Sequence, residues 1–159
     1  MPRRKKNLLR KIDPDPLYKS RVVTKLVNRV MLDGKKSVAQ SQVYKALDLI
    51  KDKTNEEPLK VFSKGLENIK PTMEVRARRV GGAAYQVPSP VKGTRRESLA
   101  IRWLIAAAAK RLNSEYHTFA EKLAAEIIDA TKMEGGAIKK KTDVERMAEA
   151  NRAFAHFRW

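Results

Sequence analysis

Arg76, Arg78, Arg79 and Tyr85 are the residues of this chain whose types and spacing most invite chemistry. That chemistry is recognition: guanidinium groups grip phosphates, and an aromatic ring among them stacks on an unpaired base. They sit on two extended runs, Met73–Val80 and residues 83–87, either side of Gly81-Gly82. A glycine pair between such runs predicts a two-residue hairpin turn, because that turn needs φ > 0 at both central positions. Val80 then opposes Ala83, Arg78 opposes Tyr85 and Arg76 opposes Val87. Alternation puts Glu74, Arg76, Arg78 and Val80 on one face with Ala83, Tyr85 and Val87. Met73, Val75, Ala77 and Arg79 take the other with Ala84 and Gln86, and a slip of one residue would exchange the faces. Positive charge continues through Lys92, Arg95, Arg96 and Arg102, while residues 70–111 hold only the acids Glu74 and Glu97. Such clustering is the electrostatic footprint of a nucleic-acid site. The plainer alternative is an exposed hairpin whose arginines are merely solvated.

The elements that must position this hairpin are helical. Ser20 can cap a helix striped by Val22, Val23, Leu26, Val27, Val30 and Met31, which Asp33-Gly34 ends. A second helix over residues 36–51 places Ala39, Val43, Ala46, Leu47 and Ile50 on one side. Pro58 opens a third, which buries Val61, Phe62, Leu66 and Ile69 and stops before Pro71. After the hairpin, Thr94 and Glu97 have capping-box spacing and start a long helix to about Leu112. Its apolar set of Leu99, Trp103, Leu104, Ala106, Ala107 and Leu112 predicts the most buried helix. Arg95 and Arg96 in its first turn oppose the helix dipole, at a cost of a few tenths of a kcal/mol unless an anion offsets them. Thr118 and Glu121 repeat the capping spacing ahead of Leu123, Ala124, Ile127, Ile128 and Ala130, and Gly135-Gly136 breaks that helix. The last segment begins either near Ala137 or at Thr142. The expected fold is mainly α, a single-domain bundle of about six helices with a protruding β-hairpin arm (residues 72–90) between the third and fourth. An extended basic tail (residues 1–19) precedes it and a C-terminal helical segment (residues 142–159) closes it.

Composition narrows the partners. Thirty-five Lys and Arg against 18 Asp and Glu give a net charge of +17, and 42% hydrophobic residues suit a globular chain. That imbalance favours a polyanion such as nucleic acid or an anionic membrane surface. The apolar run at residues 105–109 falls far short of the roughly 18 residues that span a bilayer, so no membrane partner is expected. Residues 1–11 lack a secretory apolar region, and Arg3, Arg4, Lys5, Lys6, Arg10 and Lys11 form a block that awaits a charged partner or merely solubilises. The absence of cysteine excludes disulfides and thiolate metal sites and fits a cytoplasmic protein.

Catalytic signals are missing. His117 and His156 are the only histidines and lie far apart, and neither phosphate-loop nor dinucleotide glycine motifs occur. Glu121, Lys122 and Glu126 read as a solvated helix face. No enzyme activity, metal, cofactor or small-molecule substrate is expected. The ending Phe154-Ala155-His156-Phe157-Arg158-Trp159 could pack back on the core or stack on bases.

Three motifs are recognisable in order: DGKKSVAQ at residues 33–40, ARRVGGAAYQVP at 77–88 and RMAEANRAFAHFRW at 146–159. They closely resemble the small-subunit ribosomal protein seven family of the bacterial type, along nearly the whole chain. The resemblance implies a helical bundle with a β-arm that binds the 3′ major domain of small-subunit, 16S-type rRNA and starts assembly of the subunit head. It further implies an arm near the exit-site tRNA and the mRNA path, and neighbouring small-subunit proteins as partners. Arg76, Arg78, Arg79 and Tyr85 then belong to the arm, and the basic tail, Lys35, Lys36 and the Arg95-Arg96 turn to the rRNA-facing surface. Ser89-Pro90 and Lys92-Gly93 depart from the family pattern of Val-Glu and Arg-Pro, which bears on the bend at the arm's base and on Lys92. The alternative is a DNA-architectural protein whose basic arm enters a minor groove.

Overall fold

The structure, a computed structural model, describes residues 12–157. Six α-helices and one hairpin follow in order: α1 (Arg21–Val30), α2 (Lys36–Thr54), α3 (Pro58–Ile69), β1 (Met73–Val80), β2 (Ala83–Pro90), α4 (Gly93–Lys110), α5 (Phe119–Thr131) and α6 (Gly136–Ala150). A short 3-10 turn, Arg152–Phe157, ends the described chain. The apolar stripes read from the sequence are the core: Val23, Leu26, Val43, Leu47, Ile50, Phe62, Ile69 and Leu104 are all buried in one cluster.

Three expectations need correcting. Helix α1 stops at Val30, where the Met31 N–H turns back to the Val27 carbonyl, before Asp33-Gly34 is reached. The most buried helix is α5, not α4: α5 packs against α2, α3 and α4 together, whereas Ala106 is exposed and Leu112 lies beyond the end of α4, 64% exposed. The Thr94–Glu97 box does not form, because α4 starts at Gly93 with Lys92 at its N-cap, two residues before the N-cap that the box requires. Thr94 is therefore inside the first turn, and Glu97 instead meets Lys25 of α1 at 3.0 Å. The same spacing closes fully at α5, where the Thr118 hydroxyl accepts the Glu121 N–H and the Glu121 carboxylate accepts the Thr118 N–H.

The last helix begins at Gly136, the earlier of the two starts left open. Gly135 precedes it at φ +95°, and a side chain there would bring its Cβ within 2.9 Å of the Glu126 carboxylate. That carboxylate accepts the Ala137 N–H, one of the amides a helix start leaves without an internal partner.

Candidate nucleic-acid interface

The hairpin has the register its glycines imply: Val80 opposes Ala83, Arg78 opposes Tyr85 and Arg76 opposes Val87. Gly81 and Gly82 take φ +58° and +91°, the left-handed conformations a two-residue hairpin turn demands. The tip is small and exposed, but the base is fastened. Val87 and Pro88 are buried, and the Thr72 N–H and hydroxyl both donate to Glu145 of α6, at 2.9 and 2.7 Å. These bonds hold the Glu145 carboxyl below its ordinary value even though burial, the larger single influence, pushes it up. At the two ends of the segment that leaves the arm, β2 runs on through Pro90, and Gly93 opens α4 at φ +53°.

Glu74 organises the cations at the arm's base. It is buried, 6% exposed, and faces two arginines: Arg76 on its own strand and Arg95 from the first turn of α4, at 3.2 Å. The anion that offsets Arg95 against the dipole of α4 is therefore supplied by β1. Arg96 turns the other way and donates its Nε to the Pro71 carbonyl at 3.0 Å. The pair adjacent in sequence thus splits. Arg95 joins the flank shared by the arm and α1, while Arg96 braces the segment entering the arm.

Arg95 and Arg102 are seven residues apart on α4 and lie on one side of it. Arg95, though not Arg102, lines a groove between α4 and α1 that Lys25 and Arg29 also line. Sequence reasoning missed these two cations, although Arg21, Lys25 and Arg29 recur every four residues opposite the apolar stripe. Arg78 is half-buried and Arg79 exposed, Arg79 donating to the Gly82 carbonyl at 3.4 Å. Lys35, Lys36, Lys92 and Arg102 are exposed and carry no ion pair among the described residues. Lys35 shares an apolar groove with Arg29, whereas Lys36 sits against residues 12–16 on another. Arg3, Arg4, Lys5, Lys6, Arg10 and Lys11 lie outside the described residues.

Tyr85 is not isolated. Its ring lies 5.2 Å from Phe154 and 5.2 Å from Phe157, so the terminal 3-10 turn packs onto the arm itself. Arg158 and Trp159 fall outside the described residues. The face around Glu121 also corrects an expectation: Lys122 and Glu126 are buried rather than solvated. Glu126 bonds Arg111 at 2.7 Å, Asp129 meets the same guanidinium, and the Lys122 ammonium donates to the Arg111 carbonyl at 2.7 Å. Burial works to lower the Arg111 pKa, but the bonds from Asp129 and Glu126 outweigh it and raise it. Among the described residues no group of three or more His, Asp or Glu is placed to hold a metal ion, and no helix is long and apolar enough to cross a membrane.

These features define a small basic helical protein with a β-hairpin arm and a cationic flank where the arm's base meets α1 and α4. The sequence pattern of the family described as Ribosomal protein S7p/S5e matches residues 2–152, and the chain belongs to that family. It is 57% identical to the small ribosomal subunit protein uS7 of Caldicellulosiruptor bescii, 55% to that of Metamycoplasma arthritidis and 54% to that of Heliobacterium modesticaldum. Each alignment runs over 159 residues and covers both chains completely.

Proposed function

We infer that this protein is a structural component of the small ribosomal subunit, cytoplasmic and ribosome-bound, with no enzymatic role. It binds the 3′ major domain of small-subunit rRNA, organises assembly of the head beside neighbouring small-subunit proteins, and carries its arm near the exit-site tRNA and mRNA. Full-length similarity to proteins named for that subunit supports the assignment. One geometric observation carries the mode of binding. Glu74 and Glu97, the only acids from residue 70 to 111, are both engaged by cations of the protein itself. Arg29, Arg78, Lys92 and Arg102 are left without a carboxylate partner among the described residues, available to phosphates.

Binding is therefore chiefly phosphate neutralisation by the arm, α1 and the start of α4, with folded RNA read by shape. The tip, Val80 to Ala83, offers no bulky wedge of the kind minor-groove DNA binders insert. The test is affinity for a transcript of the 3′ major domain across a salt series, with duplex DNA as competitor. Replacing Arg76, Arg78 and Arg79 by Ala should flatten the slope of log affinity against log salt by about 0.7 to 0.9 per lost phosphate contact. Equal affinity for duplex DNA would overturn the rRNA assignment, and an unchanged slope would remove the arm from the interface.

A further inference from the structure

On the opposite side of Arg95 from the α1 groove, a cleft of about 400 Å³ opens between the hairpin, α4 and α6. Its volume lies within the range that holds small ligands, about 300–1,000 Å³. Trp103 of α4, half-buried, lines it together with Val75 of β1 and Met147 of α6, and Met147 is 46% exposed. Arg95 and Lys140 supply positive charge at the same cleft, and Gln86 of β2 supplies an amide. Lys140 and Gln86 are exposed, and neither side chain has a hydrogen bond or ion pair among the described residues. The one carboxylate lining the cleft, Glu74, is already taken by Arg76 and Arg95.

We propose that this cleft receives one unpaired nucleobase of an RNA strand, with its phosphate directed to Lys140 and Arg95. The proposal rests on the RNA-binding reading above and adds a subsite to it. Each part of a nucleotide has a counterpart. The apolar wall of Trp103, Met147 and Val75 suits a base plane, the free Gln86 amide can donate to and accept from a base edge, and the two cations suit a phosphate. A buried apolar peptide segment would have no use for an unpartnered lysine beside an unpartnered amide. The separation from the α1–α4 groove matters too. A strand could be held on phosphates on one side of Arg95 and read through a base on the other.

The chain has two tryptophans, so Trp159→Phe leaves Trp103 as the sole reporter. The fluorescence of that full-length variant is titrated with a short oligouridylate, with an abasic oligomer of the same length, and with an apolar peptide as control. The base-containing oligomer should quench Trp103 and bind about tenfold more tightly than the abasic one, in keeping with the worth of base stacking. Gln86→Ala and Lys140→Ala, both at exposed positions that leave the core intact, should each reduce that difference. Equal quenching by the two oligomers, or quenching by the peptide alone, would overturn the proposal. Binding to the rRNA transcript is measured on the same preparation. Its persistence beside a failed cleft test leaves the general reading standing, and its loss beside a successful one leaves the cleft standing.

Discussion

The two ends of α4 carry arginines to opposite purposes. At the C-terminal end Arg111 follows the last turn, where positive charge suits the dipole, and it is enclosed by Glu126 and Asp129 of α5. At the N-terminal end Arg95 and Arg96 oppose the dipole, and no side chain caps the helix. Arg95 stays largely exposed, with its one carboxylate partner shared with Arg76. The Arg111 side chain is 17% exposed and that of Arg95 47%. The difference decides the role: a guanidinium held by two acids in a low-dielectric site joins helices, and one half in water with a shared acid retains attraction for a phosphate. Residue type alone assigns neither job.

The largest expected effect breaks the comparison at its buried end. Arg111→Ala leaves Glu126 as a charge with almost no access to water and only the Ala137 N–H for company. Breaking such a pair costs about 3–5 kcal/mol, read as a lower urea midpoint. RNA affinity of the folded fraction should stay as it was. An unchanged midpoint would mean that the cage holds nothing together, and the contrast between the two ends would lapse.

The register of the hairpin was legible to the residue because one local requirement, two positive φ angles at Gly81-Gly82, fixes it, whereas β2 runs on to Pro90, past the Val87 at which the extended run was expected to end. The apolar stripes were legible for a similar reason, since helical periodicity speaks directly about burial. What could not be read was competition across the fold. Thr94 and Glu97 carry the spacing of Thr118 and Glu121, yet Glu97 pairs with Lys25, which lies 72 positions away in sequence. Lys122 and Glu126 looked like solvated charges because their partners, Arg111 and the start of α6, come from other elements. The site was half legible. Its arm and α4 cations announce themselves by the scarcity of acids, whereas Lys25 and Arg29 join them only once α1 is laid against α4. Nor did the sequence decide between core and base for the closing aromatics, because it could not show Phe154 and Phe157 reaching Tyr85.

A moderate effect sharpens the contrast between a capped and an uncapped start. Thr118→Ala removes a formed cap and should cost about 1 kcal/mol, while Thr94→Ala, which caps nothing, should stay within about 0.5 kcal/mol of the parent. Equal losses in thermal unfolding would contradict the observed pairing of Glu97 with Lys25. Acid titration gives an independent check. The Glu121 carboxyl is held below its ordinary value of 4.5 by the Thr118 N–H and hydroxyl and by the His117 N–H. The Lys70 ammonium likewise lowers Glu67. A depressed folded-state value stabilises above the unfolded one and is lost as pH falls through the depressed value. Stability should therefore drop progressively below about pH 4.5. Glu121→Gln should make that acid limb shallower, whereas a Glu121→Gln curve parallel to the parent would show that the α5 cap does not titrate with folding.

The smallest effect on stability is expected at the exposed end of α4, and there it is the most informative. Arg95→Gln keeps a hydrogen-bond donor for Glu74, which still has Arg76, and it removes a charge that opposes the dipole. The gain and the loss are each tenths of a kcal/mol, so unfolding should move by no more than about 0.5 kcal/mol. The same change should flatten the salt dependence of rRNA binding by about 0.7 to 0.9, the mark of one phosphate contact. A substitution silent in folding yet plain in the salt slope means the charge is held in reserve for the partner. If instead the midpoint fell as far as for Arg111→Ala while the slope stayed put, both ends of α4 would be structural. The cationic flank would then have to begin elsewhere, at Arg29 and Arg102.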